Sequence, residues 1–326
     1  MATASANMNE SHSMSGGLRG FLRRFFDLFS RILFLKKKKK SVSRSKTRRA
    51  GAKQKINVEA ALEAVLAWSP ERVNVIEKLW GEGCISPSSA DFLREKLPLL
   101  GLDEKKSALL LGAGLGGLGR AMVDETGVWI TGIEADEELA SIGKEQTKMA
   151  GMQKRAPVSL ANLEQAKLKQ NSFNAAISLE SLYRIENKEQ LYTAMYDALR
   201  VDGEMLMTDF VLPDGDPPNQ DVAIWYEREA SKPYLWTAQN IHSCLSSLNM
   251  DVRPPEDITA KYRGRIFKGF FGYLSNVTKP ELLEISDDLI NECEYWARLI
   301  TALDSGGLKV FQFRAIKLPE KRRQIV

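Results

Sequence analysis

From residue 107 onward, short apolar runs alternate with stretches whose apolar side chains recur every three to four positions, the pattern of strands alternating with helices. SALLLGAG (107–114) predicts a first strand ending in glycines, and a helical stretch follows to about residue 126. VWITGIEAD (128–136) predicts a second strand, and EELASIGKEQTKMAG (137–151) a helix stopped at Gly151. APVSLAN (156–162), FNAAISLE (173–180) and GEMLMTDFV (203–211) read as strands three to five, with a helix at NKEQLYTAMYDALR (187–200). WTAQNIHSCLSSLN (236–249) predicts a helix and MDVRPPEDI (250–258) contains a sixth strand. YWARLITALD (295–304) predicts a last helix, and LKVFQFRAIKL (308–318) a seventh strand with exposed-type alternation. Upstream, NVEAALEAVLAW (57–68), ERVNVIEKLWGEG (71–83) and SSADFLREKLPLL (88–100) have helical spacing and predict a helical cap over 57–103. The expected fold is α/β: a doubly wound seven-stranded sheet over 104–318, helices on both faces, with ligand at the carboxyl ends of the strands.

The first 56 residues follow a different rule. Residues 1–16, rich in Ser, Ala, Met and Asn, have no apolar period and are expected to be a disordered leader. In GLRGFLRRFFDLFSRILFL (17–35) the Phe, Leu and Ile side chains gather on one helical face and Arg19, Arg23, Arg24, Asp27, Ser30 and Arg31 on the other, with Phe34 out of place. Lys36 to Lys40 follow, then a Ser/Arg/Lys linker to residue 56. Charges within the helix rule out a span of about 20 apolar residues, and no uncharged core precedes a cleavage site as in a secretory signal. A Phe/Leu face beside a polybasic run predicts a helix lying on an anionic membrane surface, engaged through residues 17–55. A mitochondrial transit peptide and a helix docked on protein are the alternatives.

Charge sharpens that division. Residues 1–56 carry 15 Lys and Arg against Glu10 and Asp27, a net +13, so the whole-chain charge of +4 leaves −9 for residues 57–326. An acidic body disfavours a nucleic-acid backbone as substrate. Residues 319–326 form a short basic tail. Three scattered cysteines and two histidines argue against a disulfide scaffold and against a metal centre. The chain reads as cytoplasmic, peripheral on the inner face of a membrane.

The chemistry begins at Gly112-Ala113-Gly114-Leu115-Gly116-Gly117, a glycine turn after a strand and before a helix. Gly112, Gly114 and Gly117 also satisfy a dinucleotide fingerprint, with Glu134 about 20 residues on, so an NAD(P)-dependent oxidoreductase is an alternative. Three further segments bear on the choice: GIEAD (132–136), NSFNAAISLESL (171–182) and LRVDGEMLMTD (199–209). In order and spacing the four segments resemble the class I S-adenosylmethionine-dependent methyltransferases, over about residues 100–318. LWGEG (79–83) and the long segment after strand five are similar to the phosphoethanolamine methyltransferase branch.

The resemblance implies a Rossmann-like fold and S-adenosyl-L-methionine as cofactor. It places Gly112, Gly114 and Gly116 along the methionine part and Glu134 on the ribose hydroxyls. Asn162 stands where many members have an Asp near the adenine amino group, its carbonyl able to accept there. Glu180 would face the methionine and the acceptor. Glu180, Tyr183 and Tyr226 are the expected catalytic candidates, with Asp209 nearby; His242 reads as a surface or core residue.

A sulfonium methyl is already activated, so the protein has mainly to align a nucleophile and exclude water. The segment 210–240 is expected to be a substrate lid. Trp225, Tyr226, Tyr234 and Trp236, with Glu227 and Glu229, are candidates for a cage around a cationic amine. Trp80 and Glu82, in LWGEGC (79–84), are expected to close over the cofactor from the N-terminal side. The implied acceptor is a small molecule or is lipid-linked; a methyltransferase of protein or nucleic acid is a further alternative.

Overall fold

In the computed structural model, the chain divides into two units, Met1–Val58 and Glu59–Val326. The structure describes residues 67–215, 217–278 and 287–319. The expected leader, amphipathic helix, polybasic linker and first cap helix therefore lie outside the described residues, as does the tail beyond Pro319.

Parallel strands covered on both faces must be apolar throughout, and β1 (Ser107–Leu111) shows this, with Leu109, Leu110 and Leu111 wholly buried. It pairs in parallel with β2 (Trp129–Glu134) and with β4 (Phe173–Leu179). Outside β2 runs the short β3 (Val158–Leu160), and beyond β4 runs β5 (Leu199–Val211). The long β8 (Lys309–Lys317) then adds antiparallel to β5 and carries β6 (Met250–Val252) on its other edge. The path is β3-β2-β1-β4-β5-β8-β6, with the two-residue β7 (Glu256–Asp257) also on β8. The strand order reverses between β1 and β4, the place where such sheets hold their ligands.

One apolar layer joins β4 and β5 to α4 (Lys188–Ala198) and α6 (Ala238–Ser247) through Leu191, Tyr192, Met195, Ile241 and Leu245. The other joins the opposite sheet face to the helical run 89–100 and to α2 (Gly117–Thr126) through Phe92, Leu97, Leu118 and Met122. Removing one such leucine side chain would cost about 2–5 kcal/mol. Caps fix where helices begin. Ser69 Oγ accepts from Arg72 N at the start of α1 (Pro70–Trp80), and Asp136 Oδ1 accepts from Leu139 N at the start of α3 (Glu137–Met149).

The structure departs from the expected elements in three places. The sixth strand is split, because Pro254 and Pro255 have no N–H to give to a ladder. Strand five begins four residues early, its register shifting between Phe173 and Ala175, with Asp202 left-handed at φ 62°. The 18-residue helix α7 (Thr259–Asn276) was not foreseen. It buries Tyr262, Ile266, Phe267 and Phe270, while three glycines, each about 1 kcal/mol worse than Ala in a helix, mask its pattern. A short helix, α5 (Gln220–Tyr226), lies in the expected lid, capped by Asn219, and α8 (Asp287–Asp304) covers the predicted last helix.

Candidate active site

At the carboxyl ends of β1, β2 and β4 lies a cavity of about 610 Å³, within the range of small-molecule sites. Gly112 and Ala113, both in its wall, donate their N–H groups to Ile133 O and so tie the glycine turn to β2. Gly112 has φ 71°, and a Cβ there would collide with the Ser181 side chain. Glu134 ends β2 with its carboxylate already oriented. Oε2 accepts from Gly114 N at 2.7 Å, and Oε1 accepts from Ala135 N and Asp136 N at 2.8 and 2.9 Å. With both lone pairs of Oε1 taken, Oε2 keeps acceptor capacity for a ribose hydroxyl. Asn162 also lines the cavity, but its carbonyl oxygen accepts from Glu164 N at 2.9 Å. What Asn162 has to spare is mainly its N–H donors, rather than the carbonyl expected from the sequence.

The cap completes this half of the site. Gly83 packs backbone to backbone on Gly117: its O accepts from Gly117 N at 3.0 Å, and a Cβ on Gly83 would lie 2.6 Å from Gly117 Cα. Gly83 N donates to Glu77 Oε1, which also accepts from Gln146 Nε2, both at 2.9 Å. Trp68 Nε1 donates to Asp136 Oδ2 and Trp68 N to Glu138. Trp68, Cys84, Ile85 and Ser86 all line the cavity. Glu82 does not. Trp80 packs between Phe270 and Trp296 and lines a separate hollow of 840 Å³ between α1 and α7.

Glu180, just past β4, is buried, lines the cavity and is left-handed at φ 46°, a strained conformation for a side-chain-bearing residue. Its Oε2 accepts from Ser86 Oγ (3.0 Å) and its Oε1 from Ser88 Oγ (2.7 Å) and Thr208 Oγ1 (2.5 Å). Burial pushes its carboxyl up, and the three hydroxyls oppose that shift. Asp209 stands behind the wall rather than in it. Oδ1 accepts from Tyr183 N, while the buried Oδ2 has no partner among the described residues, and burial pushes the acid up to about 7.

At the far end Glu229 gathers three donors. Tyr183 Oη donates to Oε2 at 2.6 Å, Tyr295 Oη to Oε1 at 2.9 Å, and Arg184 to Oε2 through Nε and Nη2. Tyr262, Phe210 and Trp296 complete the aromatic wall. Arg228 also lines it and is poorly satisfied: Nη1 and Nη2 reach Glu294 and Asn291 O only at 3.4 Å, and the buried Nε has no partner among the described residues.

The cage expected in the lid does not assemble. Tyr226 does not line the cavity, because on α5 it follows Trp225, which turns inward onto Tyr183 and Phe210. Trp236 packs on Tyr192, Glu227 pairs with Arg298, and neither Tyr234 nor His242 reaches the wall. Of the expected lid set, Glu229 alone arrives. Sequence reasoning passed over Ser86, Ser88, Arg184, Arg228, Tyr262 and Tyr295. Arg228 stood next to a named candidate, whereas Tyr262 and Tyr295 become visible only once α7 and α8 are placed.

Residues 108–203, from β1 into β5, match the family model described as a methyltransferase domain. The domain belongs to the class I S-adenosylmethionine-dependent methyltransferases. With that, the dinucleotide reading of its glycine turn is set aside. The chain is similar to phosphoethanolamine N-methyltransferase 3 of Arabidopsis thaliana, 24% identical over 152 residues, 47% of this chain and 30% of that protein. It is also similar to phosphoethanolamine N-methyltransferase of Plasmodium falciparum, 25% identical over 237 residues, 72% of this chain and 86% of that one. The match thus spans about a third of the length of several curated relatives. Among solved structures, phosphoethanolamine N-methyltransferase 2 of Haemonchus contortus, in complex with S-adenosyl-L-methionine, superposes with a TM-score of 0.66 at 17% identity. That alignment covers 76% of this chain and 57% of the other and carries the likeness of fold.

Proposed function

We propose that this protein transfers the methyl group of S-adenosyl-L-methionine to a small acceptor bearing an anionic group, working at the cytoplasmic face of an anionic membrane. The residues present fit the cofactor: the glycine turn leaves room at Gly112, and Glu134 is held with acceptor capacity toward a ribose. When bound, the cofactor supplies an activated methyl. The protein's own part is to hold an acceptor in line and keep water away, through Tyr183, Phe210, Tyr262 and Trp296.

Arg228 carries the acceptor class. A half-buried guanidinium whose buried Nε lacks a partner among the described residues is complementary to phosphate or carboxylate, which bind such forks through two parallel bonds. The relatives named phosphoethanolamine N-methyltransferases act, by name, on a substrate of that charge. Methyl-labelled S-adenosylmethionine with phosphoethanolamine, and with ethanolamine in parallel, tests the reading. Transfer at least tenfold faster to the phosphorylated compound, with its KM raised in Arg228→Met, is expected; equal rates on both would overturn the anion anchor.

The membrane half rests on residues 17–55, where five consecutive lysines follow a Phe/Leu-rich face, each lysine contributing on the order of 1 kcal/mol near anionic lipid. The full chain should sediment with vesicles containing phosphatidylserine, and a variant with Lys36 to Lys40 replaced by Gln should not. Equal sedimentation of the two would refute it.

A further inference from the structure

We infer that Ser88 and Arg265 are positioning residues for Glu180: a hydroxyl from the cap and a guanidinium from α7, acting in series, fix its carboxylate at the reacting end of the cavity. The inference rests on the proposed methyl transfer and concerns two residues that do not themselves line the cavity.

Ser88 Oγ lies 2.7 Å from Glu180 Oε1. A hydroxyl has one proton and can point it either way, so this contact alone does not say which group donates. Arg265 biases it. Its Nη1 donates to Ser88 Oγ at 3.3 Å, which takes one of the serine's two lone pairs and favours turning the serine proton toward the carboxylate. A guanidinium keeps its charge at any pH the protein meets, so this bias does not depend on pH. Arg265 is itself anchored, its Nε donating to Asp91 Oδ2 at 2.5 Å. The series Asp91–Arg265–Ser88–Glu180 links the helical run 89–100, α7, the cap turn and the end of β4.

Other groups facing Glu180 do not do this work. Ser86 and Thr208 donate from the cap and from β5 but bring no charge. Tyr262 on α7 and Asp209 on β5 would oppose the carboxylate if ionised, and burial pushes both acids up. Arg265 favours the ionised form of Glu180 against the burial that resists it. Without it, Ser88 can turn its lone pair toward a protonated Glu180, and the carboxyl keeps its proton to higher pH.

The test compares two cofactor analogues on the full chain. Sinefungin carries an ammonium where the cofactor has its methyl sulfonium, and S-adenosylhomocysteine carries a neutral thioether. The ratio of their affinities, measured calorimetrically across pH, reads the charge of Glu180 without needing the acceptor. Sinefungin should be favoured in the wild type, the preference should fall on acidification, and Glu180→Gln should abolish that pH dependence. Ser88→Ala and Arg265→Met should lower the preference at pH 7.5 by about three- to tenfold, the size of one ordinary net hydrogen bond. Their midpoints should move to higher pH, and Arg265→Lys should recover part of the change. Because it is a ratio within one folded protein, loss of stability alone does not move it, and Ser88→Ala serves should Arg265→Met fail to fold. An unchanged ratio and midpoint in the folded variants, with both ligands bound, overturns the inference. Failure of the wild type to bind either ligand overturns instead the cofactor reading beneath it.

Discussion

Gly83→Ala is the sharpest probe of the cap as a wall of the cofactor site. Gly83 has φ 66°, and an L residue in that left-handed region costs about 1–2 kcal/mol. The new Cβ would lie 2.6 Å from Gly117 Cα and 2.8 Å from Gly117 N. Those are backbone atoms at the start of α2, unable to swing aside, so relief requires a shift of the kind that costs about 1–3 kcal/mol when cores are overfilled. Together the penalty is about 2–5 kcal/mol. The cheapest escape is for the cap turn to lift off, which breaks the Gly117 N–H to Gly83 O bond and withdraws Cys84, Ile85 and Ser86 from the cavity. At 1.4 kcal/mol per factor of ten, affinity for S-adenosylhomocysteine should fall about 30-fold or more. Isothermal titration of the full chain gives the affinity, and a thermal melt confirms folding. Gly151→Ala is the control, with φ 72° and nothing within 4 Å: it should lose about 1–2 kcal/mol of stability and no affinity. A folded Gly83→Ala protein that binds within threefold of wild type would refute the reasoning.

Glu134→Ala should weaken S-adenosylhomocysteine binding by about 1.5–3 kcal/mol, the worth of hydrogen bonds to a charged acceptor, and unchanged affinity in the same titration would remove Glu134 from the site. Tyr183→Phe should cost about 1–3 kcal/mol in urea unfolding, since Glu229 loses its shortest donor while remaining buried; a change below 0.5 kcal/mol would contradict that. Asp209 makes stability depend on pH. Its folded value of about 7 lies above the ordinary 3.8, so the native state binds the proton more tightly than the unfolded chain, and stability declines as pH rises from about 4 to 7. Thermal melts of Asp209→Asn across that window should lack the decline, and a parallel slope in wild type and variant would exclude Asp209 as its source.

The sheet was legible because its central strands are buried on both faces and must be mostly apolar, as ALLL (108–111) and AAI (175–177) show. Gly112, Glu134, Asn162, Glu180 and Tyr183 were legible because they sit at strand ends, where order along the chain dictates position in space. The acceptor end was harder. It is built from Arg228, Glu229, Tyr262 and Tyr295, which come together through packing of α5, α7 and α8 and share no local spacing. Tyr226 was misplaced for a simple geometric reason: one helical residue is about 100° of rotation, and Trp225 took the inward direction. Ser86 and Ser88 were unreadable because hydroxyls reach Glu180 across more than 90 positions, and nothing in either segment announces the other.

The cofactor half of the cavity comes mainly from the cap and the first four strands, while most of the acceptor half comes from what is inserted after β5. Tyr262, Tyr295 and Trp296 all belong to the excursion between β7 and β8, whose ends are fixed by a shared strand pairing. Such a layout lets the excursion drift or be exchanged while the nucleoside cradle stays under separate selection. Grafting residues 258–308 between related enzymes, with Arg265 retained to hold Ser88, is thus a route to retargeting, with β8 serving as the splice that keeps the sheet whole.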